Sequence, residues 1–267
     1  DLNSGAFAAA YYFLSRLPSK PELAERFIPL LEGLEEKALK DADGGYSWAA
    51  PSIFGNVYLG LSHGSAMVIS LLANLWSRDI EKGSCERIMR NAVEFLLRYK
   101  RDVRYGRFAL MKQDIDYVVK PFGQCYGDIG VAYALVKAIP ILRDDRVDTA
   151  AMEVINESIT RTYDPPGSPF PTDAGIFYGA SGLAATLEKL GQMTGDGRLA
   201  EAARYWYRRI PGYAKHENTF AGYQCMFNAE SVLYNTSYGW GIIGIGMSLM
   251  RYLKPELPPF FELQMIA

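Results

Sequence analysis

The chain has 267 residues, 49% hydrophobic and 22% charged, with 28 Lys and Arg against 30 Asp and Glu and a formal net charge of -2. That composition belongs to a folded globular protein, and the even charge supplies no basic face for nucleic acid. Apolar runs such as 69–76 and 127–141 are broken by polar residues well short of the roughly 20 apolar residues that cross a bilayer, so no membrane span is expected.

Three cysteines, Cys85, Cys125 and Cys225, are too few and too scattered for a disulfide framework and point to a reducing cytoplasm. No signal peptide is read ahead of the first helix. Residue 1 is Asp rather than Met, and a segment before it, with any targeting information, is expected to lie outside this sequence.

In chain order, residues 1–14 (DLNSGAFAAAYYFL) predict a helix that opens at a Gly and runs through small residues into aromatic ones. Residues 21–39 predict an amphipathic helix, with Leu23, Phe27, Leu30, Leu31 and Leu34 recurring at helical spacing and Glu22, Glu25, Arg26, Glu35 and Glu36 on a solvated face. A long loop, 41–60, follows, rich in aromatic residues (Tyr46, Trp48, Phe54, Tyr58). Residues 61–76 (LSHGSAMVISLLANLW) repeat the first pattern, and 85–100 the second. The loop 101–124 carries a candidate short strand at 115–119. The alternation then continues with 125–139 (CYGDIGVAYALVKAI), 147–163, the proline-stiffened connection 164–172, 177–190 (FYGASGLAATLEKL), 198–213 and 240–253 (WGIIGIGMSLMRYL).

Five glycine-opened segments thus recur about 50 to 65 residues apart, the length of a two-helix unit with generous loops. They lack a charged face over their first turns and are expected inside, covered on both sides, while the amphipathic helices wrap them. This arrangement is an all-α fold, an α/α toroid.

If the inner helices point their N-termini to one end, the residues at the glycine turns share a pocket: His63, Cys125 with Tyr126 and Asp128, and Phe177 with Tyr178. Imidazole titrates near neutrality and suits proton transfer, and a helix N-terminus lowers a nearby thiol pKa. Trp48, with its loop, is a candidate for the pocket mouth. Each has a structural alternative. His63 could cap its helix, Cys125 could be a small buried hydrophobe, and Tyr126 and Tyr178 could be packing groups. Asp128 could complement its helix dipole, and the aromatic loop could seal a core.

His63-Gly64, Cys125-Tyr126-Gly127-Asp128-Ile129-Gly130 and Tyr178-Gly179-Ala180-Ser181-Gly182 resemble the signature turns of the lanthionine synthetase C-like family, and residues 1–14 resemble its Asp-x-x-x-Gly inner helix. The similarity runs over essentially the whole chain. It implies one domain over 1–267, corresponding to the C-terminal two thirds of a seven-hairpin toroid. It also implies a peptide substrate, whose cysteine is added to a dehydroalanine or dehydrobutyrine to make a thioether ring.

Family members hold a zinc with two Cys and one His. Here Cys125 matches the first ligand, whereas Phe177 and Tyr178 stand in the places of the Cys-His pair. Catalytic zinc usually takes three protein ligands, so no cofactor is expected and zinc is disfavoured. The family includes a metal-free branch, which leaves cyclisation open. His63 matches a proposed acid of the family, and Asp1 an acidic residue on the neighbouring inner helix that would support it. The arginine expected shortly before the Cys-Tyr-Gly turn is missing: Pro121 stands there, and Lys120 is the nearest cation. The functional expectation is a thioether-forming peptide cyclase or its descendant, with a non-catalytic peptide-binding protein as the alternative. A carbohydrate enzyme of the same fold ranks last, because Asp1 and Asp128 are the only carboxylates at the glycine turns.

Overall fold

The structure, a computed structural model, describes residues 5–116, 118–163, 171–225 and 235–257. It divides into two compact units. The first comprises Asp1–Asp102, Arg107–Val119 and Val131–Met152; the second comprises Val103–Gly106, Lys120–Gly130 and Glu153–Ala267.

The first unit opens with α1 (Ala6–Arg16), a 3-10 turn (Pro21–Arg26) and α2 (Phe27–Glu36). One continuous helix over 21–39 is not formed. Pro29 has no N-H for the carbonyl of residue 25, so the α-helix starts two residues before it, where the missing donor costs nothing. Two small antiparallel pairs follow, β1 (Leu39–Lys40) with β2 (Tyr46–Ser47), and β3 (Ala49–Ala50) with β4 (Asn56–Val57). The 41–60 loop is therefore a double hairpin. α3 (Ser65–Trp76) then packs on α4 (Lys82–Arg98) as a helical hairpin. The strand expected at 115–119 is absent from its described residues, which are turn and coil.

α5 (Asp128–Leu142) and α6 (Asp145–Tyr163) each contribute to both units. The second unit adds α7 (Ala180–Thr194) packed on α8 (Gly197–Arg209), and α9 (Ile242–Leu253) beside both. α8 stops at Arg209 and tightens into a 3-10 turn, because Pro211 cannot donate to a helical carbonyl.

Burial follows the two sequence patterns. Every α3 residue from Ser65 to Leu75 is buried, and so is α7 from Ala180 to Leu187. Leu71, Leu72 and Leu75 are fully inaccessible, each contributing roughly 1.5–3 kcal/mol. α4 and α8 bury one stripe apiece, Ile88, Met89, Ala92 and Leu96 in α4, and Leu199, Ala202, Ala203 and Trp206 in α8. α1 and α9 depart from the expectation of full cover. Tyr12 of α1 and Ile243, Met250 and Leu253 of α9 are half or more exposed, because no described element lies on that flank of either helix. Within the first unit, Lys137 of α5 donates to the side-chain carbonyl of Asn74 and, at 3.2 Å, to the Tyr133 hydroxyl, which fixes the register of α5 on α3. No described helix is long and apolar enough to cross a membrane.

The helix starts share one device. The first amides of α3, α7 and α9 donate to main-chain carbonyls seven residues upstream: Ser65 to Tyr58 (3.3 Å), Ala180 to Asp173 (2.9 Å) and Ile242 to Asn235 (3.0 Å). The incoming loop lies so close that a Cβ on Gly64, Gly179 or Gly241 would collide with the main chain six residues back. Gly127 meets the same contact, 2.6 Å from the Pro121 carbonyl, with φ at +119°. The glycines are needed for this approach, and main chain rather than a side chain satisfies the orphan helix amides.

The same logic separates two glycines of α9. A Cβ at Gly244 would strike the Tyr238 carbonyl and, at 2.7 Å, Ile176 Cγ1, whereas one at Gly246 meets nothing within 4 Å. Gly244→Ala is expected to lower stability in urea unfolding by about 1–3 kcal/mol, and Gly246→Ala to raise it by about 0.5–1 kcal/mol.

Candidate functional site

The glycine turns carry side chains of two kinds, one group in each unit. In the first, His63 immediately precedes Gly64 and does not cap α3, whose start has no side-chain cap. Its ring lies 5.6 Å from that of Tyr58, tilted by 59°. Burial lowers the imidazole pKa below its ordinary 6.5, so the neutral form dominates at neutral pH. His63 lines a groove of about 680 Å³ together with Trp48, Leu30, Met67, Arg26 and Lys37. Trp48 is fixed there by its indole N-H, which donates to the Leu34 carbonyl at 2.8 Å. The structure therefore brings His63 and Trp48 to one cavity. Asp1 lies outside the described residues.

In the second unit, Cys125 is buried and its N-H donates to the Phe177 carbonyl at 3.0 Å, tying the two turns together. Tyr126 stacks on Tyr178 with centroids 5.2 Å apart and planes 24° from parallel. Tyr178 in turn lies nearly parallel to Trp240, 6.5 Å away, and Phe177 meets Trp240 edge-on at 5.8 Å. Trp240 escaped the sequence reading, although it stands before Gly241 as His63, Tyr126 and Tyr178 stand before their own glycines. That shared position was the signal for it.

Asp128 sits in the first turn of α5, 8% exposed. Its charge supports Arg161 of α6, a second residue that sequence spacing did not reveal. The Arg161 guanidinium is buried beneath the loop that leads to Cys125. It donates to the carbonyls of Lys120 and Pro121 and lies 4.5 Å over the Phe122 ring. Burial pulls its pKa down to about 10, while Asp128 and then Tyr105 push it up. A cation thus does serve the segment before the Cys-Tyr-Gly turn, reaching it from 40 residues downstream.

The positions that the resemblance assigns to zinc do not fit the metal. Phe177 has no donor atom. The Tyr178 hydroxyl is held far above its ordinary pKa by burial, with Cys125 and Tyr126 beside it, so it stays a neutral phenol. Among the described residues, no three His, Cys, Asp or Glu side chains are grouped to hold an ion.

Two measurements follow from this geometry. Arg161→Met keeps the stem but leaves two carbonyls without their donor; it is expected to cost about 2–4 kcal/mol in urea unfolding, mostly recovered by Arg161→Lys if charge alone is needed. Metal analysis of the purified chain is expected to find zinc far below stoichiometric; stoichiometric zinc that vanishes in Cys125→Ala would overturn the reading of the donor set.

Comparison with known proteins agrees with the fold. The chain is similar in structure to nisin cyclase, with a TM-score of 0.72 at 14% identity, over 100% of this chain and 66% of that one. At that identity the likeness is one of fold alone, the α/α toroid expected from the alternation of helices, and the chain spans 66% of the length of the protein it matches. No curated protein matches. A profile described as "Lanthionine synthetase C-like protein" matches residues 1–265. The chain belongs to the lanthionine synthetase C-like family.

Proposed function

We propose that this protein catalyses thioether formation in a peptide, adding a cysteine thiol across the double bond of a dehydroalanine or dehydrobutyrine. Family membership and the nisin cyclase-like fold support the reaction class. The observation that carries it to particular residues is the half-buried His63, held neutral at a glycine turn and lining a groove wide enough for a peptide segment.

A neutral imidazole first works as a base. His63 takes the thiol proton, the thiolate adds to the β-carbon, and the displaced π pair leaves an enolate at the α-carbon. The imidazolium then returns its proton to that carbon. The S-H is thus added across the C=C, and the enzyme ends in the state in which it began. No step runs through a metal.

A second reading, a peptide-binding protein without catalysis, is favoured by Phe177 and Tyr178, whose rings pack against Trp240 and stand where the resemblance places two zinc ligands. Incubation with a dehydrated, cysteine-containing peptide separates the two, ring closure being read by the loss of free thiol without change of mass. The cyclase reading predicts closure above the uncatalysed rate, falling by about 10²–10⁴-fold in folded His63→Ala. Because burial lowers the His63 pKa, the rate should stay level near neutrality and fall only as pH drops through a value below 6.5, where the imidazole is already protonated. Closure no faster than without protein, with the peptide still bound, would establish the binding reading instead.

A further inference from the structure

α2 presents three faces. Phe27, Leu31 and Leu34 are buried in the core. Glu32 and Glu35 lie on one flank, where Glu35 pairs with Arg87 of α4. On the other flank Arg26, Pro29, Leu30, Gly33 and Lys37 recur at helical spacing and line the His63 groove. Glu35 is thus turned to α4, while Arg26 and Lys37 are turned to the groove.

The groove combines an apolar floor of Leu30, Trp48 and Met67 with these two cations, and its described lining contains no carboxylate. Arg26 and Lys37 are exposed, and neither forms an ion pair among the described residues. A second feature lies three residues beyond Pro51 of the groove wall, at the tip of the β3–β4 hairpin. Phe54 there is 94% exposed and left-handed, with φ at 61°. A bulky residue in that conformation is a true outlier, better served by Asn or Gly. The Phe54 ring is thereby held out in water, open to a partner at the rim.

We propose that the groove binds a peptide segment in which an apolar residue is flanked by carboxylates. The apolar side chain rests on Leu30, Trp48 and Met67, the carboxylates meet Arg26 and Lys37, and Phe54 adds an aromatic contact at the rim. The cavity is of the size that takes a few side chains. Two cations around an apolar floor suit a peptide better than a nucleic-acid backbone, whose binders neutralise many phosphates at once. The proposal rests on the peptide reading above and names which peptides the His63 groove selects.

The test uses the purified full chain and a labelled synthetic peptide with Leu and Phe set among Asp and Glu, containing neither cysteine nor a dehydrated residue. Its twin has Asn and Gln in place of the acids. Fluorescence anisotropy should show the acidic peptide binding about tenfold more tightly than the twin. That preference should vanish in the Arg26→Glu, Lys37→Glu double variant, whose surface changes leave the core untouched, and affinity should weaken severalfold in Phe54→Ala. Equal affinity for the twin, an unchanged preference after charge reversal, or no saturable binding of either peptide would overturn the proposal. Ring closure is assayed separately on a short dehydrated peptide without acids. Closure without binding of the acidic probe defeats the groove assignment alone; binding without closure defeats the cyclase chemistry alone.

Discussion

The close approach of an incoming loop to the glycine that opens each inner helix is the constraint on which the rest of the structure depends. At Gly64, Gly179 and Gly241 there is no room for a Cβ against the main chain six residues back, and in the same turns the first helix amides are closed by carbonyls seven residues upstream. Loop and helix are thereby clamped through main chain, with no side chain capping the helix. The clamp fixes where each helix begins and hence which side chain stands at the turn.

It also changes the electrostatics read from sequence. A helix N-terminus attracts anions through amides that lack partners, yet those of α3, α7 and α9 already have them. The starts of α3, α7 and α9 are therefore poorer anion sites than bare helix ends would be. In the first unit the side chain at the turn is His63, neutral and half-buried. In the second unit the corresponding positions hold a stack of rings, Tyr126 on Tyr178 and Tyr178 against Trp240.

The helices and their roles were legible because each role leaves a trace: no charge on any face over the first turns of α3 and α7, a single apolar stripe for α4 and α8. Boundaries slipped where one proline outweighed the period, at Pro29 and Pro211. The double hairpin of 39–57 left little trace, since two-residue strands are too short to alternate. At the site, residues beside a glycine could be named from spacing. Arg161 could not, because its partners are backbone carbonyls some 40 positions away, and carbonyls have no sequence signature. Trp240 had the right neighbour but a side chain without evident acid-base or ligand chemistry, and so was passed over.

Closing a helix start with main chain relieves the adjacent side chain of the duty of capping it. The residue before each of these glycines is His, Tyr, Tyr or Trp in the four turns from residue 63 onward. The scaffold thus behaves as a socket that accepts different inserts. Evolution can trade a ligand for a ring, or a proton carrier for a platform, without redrawing the backbone path. Divergence of reactivity then outruns divergence of architecture, and the turn residues, rather than the fold, tell one relative's chemistry from another's.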